Sequence, residues 1–122
     1  MVSHKSLKAW QEAEWVSSTV IDISKAHWKP YAQAVFNQLQ RASLSVQINI
    51  AEGYSYTNTP TYVKHLSIAY GSSIETGELL ELLAKKEIVP EGEVRQIVER
   101  CCNSQRLILG LLKRCRQKLS QK

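Results

Sequence analysis

The amino-acid sequence predicts an all-α protein, an antiparallel up-down-up-down four-helix bundle, on three observations. Apolar residues recur at steps of three and four over four separate stretches. Breakers are few, with three prolines and five glycines in 122 residues, and the prolines fall at the boundaries of those stretches. The length suits one domain over residues 1–122 that buries a core without staples. With 43% hydrophobic and 22% charged residues, a disordered chain is excluded.

The first helix is expected over residues 5–26, where Trp10, Ala13, Val16, Val20, Ile23 and His27 share one face. It stops near Lys29-Pro30, because proline keeps its predecessor out of helical geometry yet suits the first turn of a new helix. The second helix, residues 31–53, carries Val35, Leu39, Ala42, Val46 and Ile50 on one side and Leu44, Ile48 and Ala51 as a separate apolar strip. Between those strips fall Gln38, Arg41, Ser45, Asn49 and Glu52. A helix apolar on two flanks is covered on more than one side, so this polar line is expected inside the bundle or against a neighbouring subunit. Gly53 reads as the C-terminal cap.

Residues 54–58 read as a loop, Thr59 as an N-cap and Pro60 as the first residue of a helix over 60–86. There Tyr62, Leu66, Ala69, Ser73, Thr76, Leu80 and Leu83 make a seven-residue repeat suited to bundle packing. Its middle is thin: Gly71, Ser72, Ser73 and Gly77 leave room for another helix backbone or a neighbour's ring. The fourth helix, residues 90–119, starts at Pro90 with Glu91 and Glu93 at its positive end, and buries Val94, Ile97, Cys101, Ser104, Ile108, Leu111, Cys115 and Leu119.

Charge is uneven along the chain. The total is +5, but residues 95–122 hold eight basic side chains against the single acid Glu99. Arg95, Arg106, Lys113, Arg114, Arg116 and Lys118 are therefore the candidate nucleic-acid contacts, through a backbone field that carries no base readout. No run nears the roughly 20 apolar residues that span a bilayer, and the N-terminal residues lack an apolar signal core, so a cytoplasmic protein without a membrane partner is expected. Cys101, Cys102 and Cys115 read as buried thiols, and no cofactor or metal is expected.

Catalysis is not expected: His4, His27 and His65 lie on different segments, and no nucleophile with its base, paired acids or phosphate-cradling glycine loop is present. Arg41, Asn49, Glu52 and Glu75, with Gln38 and Ser45, are assigned to a buried polar network or a subunit interface. Trp15 and Trp28 look exposed and suit a partner surface.

Three runs carry a family resemblance: Leu7-x-x-Trp10-Gln11; Gln38-x-x-Arg41-Ala42-x-x-Ser45-Val46-x-x-Asn49-Ile50-Ala51-Glu52-Gly53; and Leu66-x-Ile68-Ala69-x-Gly71-Ser72-x-x-Glu75. The chain resembles the four-helix bundle proteins encoded in intervening sequences of bacterial 23S ribosomal RNA genes. That resemblance implies a ring-like homopentamer. A similar fold and assembly occur in the accessory protein of diversity-generating retroelements, whose basic ring partners a reverse transcriptase and its template RNA. Family members carry an aromatic, often Phe, near Tyr62, and a glycine-basic turn after the Glu-Gly pair. Here Tyr54-Ser55-Tyr56-Thr57-Asn58 contains no basic residue. The expected function is non-enzymatic binding of nucleic acid, RNA before DNA, or of a ribonucleoprotein, by a homo-oligomer through the basic face of its last helix. The alternatives are a retroelement accessory subunit and a scaffold with no nucleic-acid role.

Overall fold

Four helices carry nearly all of the chain: α1 (Lys8–His27), α2 (Gln33–Tyr54), α3 (Pro60–Lys85) and α4 (Glu91–Ser120). The computed structural model describes residues 3–121, so Met1, Val2 and the basic residue Lys122 lie outside the described residues. Short 3-10 turns occupy His4–Ser6 and Pro30–Ala32, and among the described residues there is no strand. Each helix packs on two others: α2 touches α1 and α3, and α4 touches α1 and α3.

Local signals explain most of the boundaries. Thr59 is extended and its side chain accepts a hydrogen bond from the Tyr62 amide at 3.3 Å, with Pro60 as the first helical residue. Pro30 opens a 3-10 turn, which delays α2 to Gln33. Pro90 differs from expectation: it takes the capping position, extended at ψ 137°, and α4 begins at Glu91. At the end of α3, Glu87 adopts a left-handed φ of 58°. The Ile88 amide donates to the Leu83 carbonyl at 2.9 Å and the Glu87 amide to Ala84 at 3.0 Å. This is a Schellman stop with glutamate where glycine is usual.

Gly53 is not a cap. It lies within α2 without positive φ. A Cβ there would stand 2.8 Å from His65 Cβ and 3.2 Å from Tyr62 Cδ1, so glycine is needed because α3 comes that close. The reverse holds in the thin middle of α3, where a Cβ added at Gly71 or Gly77 meets nothing within 4 Å. Among the described residues no helix backbone fills that space.

The core has two parts. The upper cluster includes Val20, Ile23, Phe36, Leu39, Leu80, Leu83, Val89, Val94 and Ile97. The lower cluster includes Trp10, Ala13, Val46, Ile50, Tyr62, Leu66, Ala69, Ile108, Leu112 and Cys115. Between them lies a seam of small residues, among them Ala13, Ser43, Ser73, Thr76, Cys101 and Ser104, around a void of about 10 Å³. Most seam hydroxyls bond back to their own helices. Ser104 Oγ is buried with no partner.

All seven repeat positions named on α3 are buried. Two expected core positions move by one residue: Phe36 is buried instead of Val35, and Leu112 instead of Leu111. Steps of three and four permit either member of each pair, and the bulk of Phe36 and the line where α1 and α3 meet α4 select the other one. His27 and Leu119 are only partly buried.

Candidate nucleic-acid interface

The six cations expected to contact nucleic acid do not form one group. Arg95 stands beside Val94 of the upper cluster and pairs with Glu91 at 3.0 Å. Lys113, Arg114, Arg116 and Lys118 flank Leu112 and Cys115 of the lower cluster. At about 1.5 Å of rise per residue, Arg95 is about 27 Å from Lys113. Arg95 thus lies apart from the other cations, in the other half of the bundle and beside an exposed acid. The four lower cations are exposed, and among the described residues none of them forms an ion pair. Arg106 is also exposed and bonds Asn103 on its own helix.

Tertiary contacts bring a second element to this basic segment. The Cys115 thiol donates to the Thr59 carbonyl at 3.7 Å, and the Thr59 hydroxyl donates to the Tyr56 carbonyl at 2.5 Å. Arg114 and Arg116 thus stand on either side of the residue that anchors the α2–α3 turn. Burial pushes the Tyr62 phenol upward in pKa, with Cys115 adding to the rise and Arg114 opposing it. Tyr56 stacks nearly parallel on His65, at 8° with 6.1 Å between ring centroids, and remains 49% exposed. Asn58 takes the left-handed φ of 65° that closes the turn, a conformation asparagine tolerates. Lys64 on α3 and Lys5 and Lys8 at the start of the chain are exposed as well.

The polar line of α2 is not enclosed within the bundle, the first of the two placements expected of it. Arg41, Glu52 and Glu75 are exposed in the single chain, and no ion pair links Arg41 to either acid. The bundle has only α3 to set against that line, so its edge stays wet. What forms is a hydrogen-bonded ladder between α2 and α3. Gln38 Nε2 donates to Glu75 Oε2 at 2.6 Å, and Ser72 Oγ donates to Ser45 Oγ at 2.8 Å. Asn49 Nδ2 donates to the Ser45 carbonyl at 2.9 Å, which leaves Asn49 Oδ1 to accept from His65 Nδ1 at 3.0 Å. His65 and Ser72 escaped the sequence reading. They lie seven residues apart on one face of α3, with Glu75 three residues beyond Ser72, and that shared polar face was the available signal.

Beside the ladder, Leu44 (38%), Ile48 (48%) and Ile68 (43%) are exposed apolar side chains. Ala51, the third residue of the second strip, packs against the lower cluster. Trp15 is not the free aromatic expected: it is partly buried with the Arg100 guanidinium 4.2 Å over its ring, and Arg100 also pairs with Glu12. Trp28 stays 39% exposed but stacks on Phe36 at 5.4 Å. Cys101 and Cys115 are buried as expected, whereas Cys102 is exposed. Burial pushes the Cys101 thiol up to about 12. His27 pairs with Glu93 at 3.1 Å, joining the end of α1 to the start of α4. No helix among the described residues is long and apolar enough to cross a membrane.

This is a small four-helix bundle with a cationic segment and a wet, partly apolar edge. The sequence profile described as 23S rRNA-intervening sequence protein matches residues 5–110, and the chain belongs to that family. A similar fold is seen in the crystal structure of a protein of unknown function from the S23 ribosomal protein family of Bacteroides thetaiotaomicron. It is 20% identical, with a TM-score of 0.62, over 84% of this chain and 98% of that one. No curated protein matches the chain.

Proposed function

We propose that the protein acts by association, as a homo-oligomer of up-down-up-down bundles whose lower end holds the backbone of RNA. The observation that carries this is the set of four exposed cations, Lys113, Arg114, Arg116 and Lys118, without an acidic partner among the described residues. Such cations release condensed counterions when they meet phosphates, which gives salt-sensitive affinity without base readout. The antiparallel course is supported by the falling pair numbers between α2 and α3, from Gly53 near Tyr62 to Asn49 with His65 and Gln38 with Glu75.

Leu44, Ile48 and Ile68 supply an apolar strip for a neighbouring subunit, in keeping with the homopentamer that the family resemblance implies. Catalysis has no part in this reading, and three unpaired thiols fit a reducing compartment such as the cytosol.

Reversal of the four cations to glutamate tests it. The variant is expected to lose retention of RNA while native mass and helicity hold, whereas Arg95→Glu leaves retention intact. Unchanged RNA binding by the fourfold variant would point instead to a scaffold without a nucleic-acid role.

A further inference from the structure

We propose that this end of the bundle takes unpaired nucleotides, with a base stacked on the open face of Tyr56 and the adjoining phosphates held by Lys64, Arg114 and Arg116. The inference rests on the nucleic-acid reading above and adds the form of nucleic acid that fits.

The geometry that points to it is the aromatic turn set into the cationic segment. Tyr56 lies against the His65 ring on one face, and the tyrosine is still 49% exposed, which leaves a flat aromatic surface open to solvent. His65 is in turn fixed by its Nδ1–H bond to Asn49 at 3.0 Å, so the platform is held before any ligand arrives. The turn itself has no cation. Its carbonyl at Thr59 is instead bonded to Cys115, which sets Arg114 and Arg116 beside it, and exposed Lys64 precedes His65 on α3.

An aromatic face flanked by cations is the arrangement on which single strands bind, since each base offers a π-face and each linkage a phosphate. A duplex hides its base faces in its own stack, so it can use only the cations. Tyr56 therefore adds affinity for single strands and none for duplexes.

The full-length chain should be titrated with a labelled single-stranded RNA of about 12 nucleotides and with the corresponding duplex. Tyr56→Ala is expected to weaken single-strand binding by about 5- to 100-fold, with duplex binding unchanged. Tyr56→Phe should restore the single-strand affinity, because it keeps the ring and loses only the hydroxyl. A 2-aminopurine probe should be quenched by the parent and by Tyr56→Phe but not by Tyr56→Ala. Equal single-strand affinity for Tyr56→Ala and the parent, with the fourfold charge reversal still abolishing binding, would overturn the stacking site and leave the proposed function standing. Binding that survives the charge reversal would overturn both.

Discussion

The two halves of the bundle are built on different principles. The upper half packs large side chains, led by Phe36, Leu80 and Leu83 at 0% exposure, and intersperses its cations with acids: Arg95 pairs with Glu91, while Lys25, Lys29, Lys85 and Lys86 form no ion pair among the described residues but share that half with Glu78, Glu81, Glu87 and Glu93. The lower half brings α2 and α3 so close that Gly53 cannot carry a Cβ, and it leaves Lys113, Arg114, Arg116 and Lys118 without acidic partners among the described residues. Positive charge massed at one end costs self-repulsion, which the proposed association with phosphates would offset. Interspersed acids temper that cost in the upper half; in the lower half the charge stays open, as the proposed RNA contact requires.

The contrast can be broken most severely from above. Phe36→Ala should lower unfolding free energy by about 3–5 kcal/mol, since it opens a cavity in the upper cluster. Denaturant titration measures this, and RNA affinity of the folded fraction should not change. A matching loss of RNA affinity would mean that the halves are not separable.

Next in size is glycine replaced at two sites. Gly53→Ala is expected to cost about 1–3 kcal/mol by overpacking against His65 and Tyr62. Gly71→Ala should instead gain about 0.5–1 kcal/mol, because the same methyl finds open space and improves helix propensity. Thermal melts that move in the same direction for both would contradict the close approach of α2 and α3.

The seam between the halves responds to pH. Unfolded, the Cys101 thiol ionises near its usual 9.0, and folded near 12. Between those values the unfolded state binds fewer protons, so stability is intact below pH 9 and falls as pH rises through the window. The slope contributed there approaches about 1.4 kcal/mol per pH unit. Cys101→Ala should flatten the alkaline fall of the melting temperature by that part. Tyr62, in the lower half, shifts in the same direction and keeps its own share.

Two smaller gains sharpen the picture of where the fold is imperfect. Ser104→Ala removes a buried hydroxyl with no partner and should stabilise by about 1 kcal/mol, read from the denaturation midpoint. Glu87→Gly relieves a left-handed glutamate at the α3 stop and should add a similar or slightly smaller amount.

Much of this bundle was legible one residue at a time. The Thr59-Pro60 start, the seven buried positions of α3 and the cationic bias of the last helix each depend on a local rule, whether a cap, a repeat or a count of charges. Family membership followed from runs such as Asn49-Ile50-Ala51-Glu52-Gly53. Periodicity fails where two neighbours satisfy it equally, as with Val35 and Phe36 or Leu111 and Leu112, because the choice depends on the helix across the gap.

The site was less legible than the fold. A count of charges groups Arg95 with Lys113, but it ignores the distance between them along α4. Gly53 looked like a cap because a lone glycine after a helical run usually is one, and only the proximity of α3 shows why it is there. The joining of Tyr56, His65, Cys115 and Arg114 spans the α2–α3 turn and two helices, and is invisible in any one of them. Spacing along a chain fixes which residues share a face; which faces meet, and what is left uncovered, is set by packing between segments far apart in the chain.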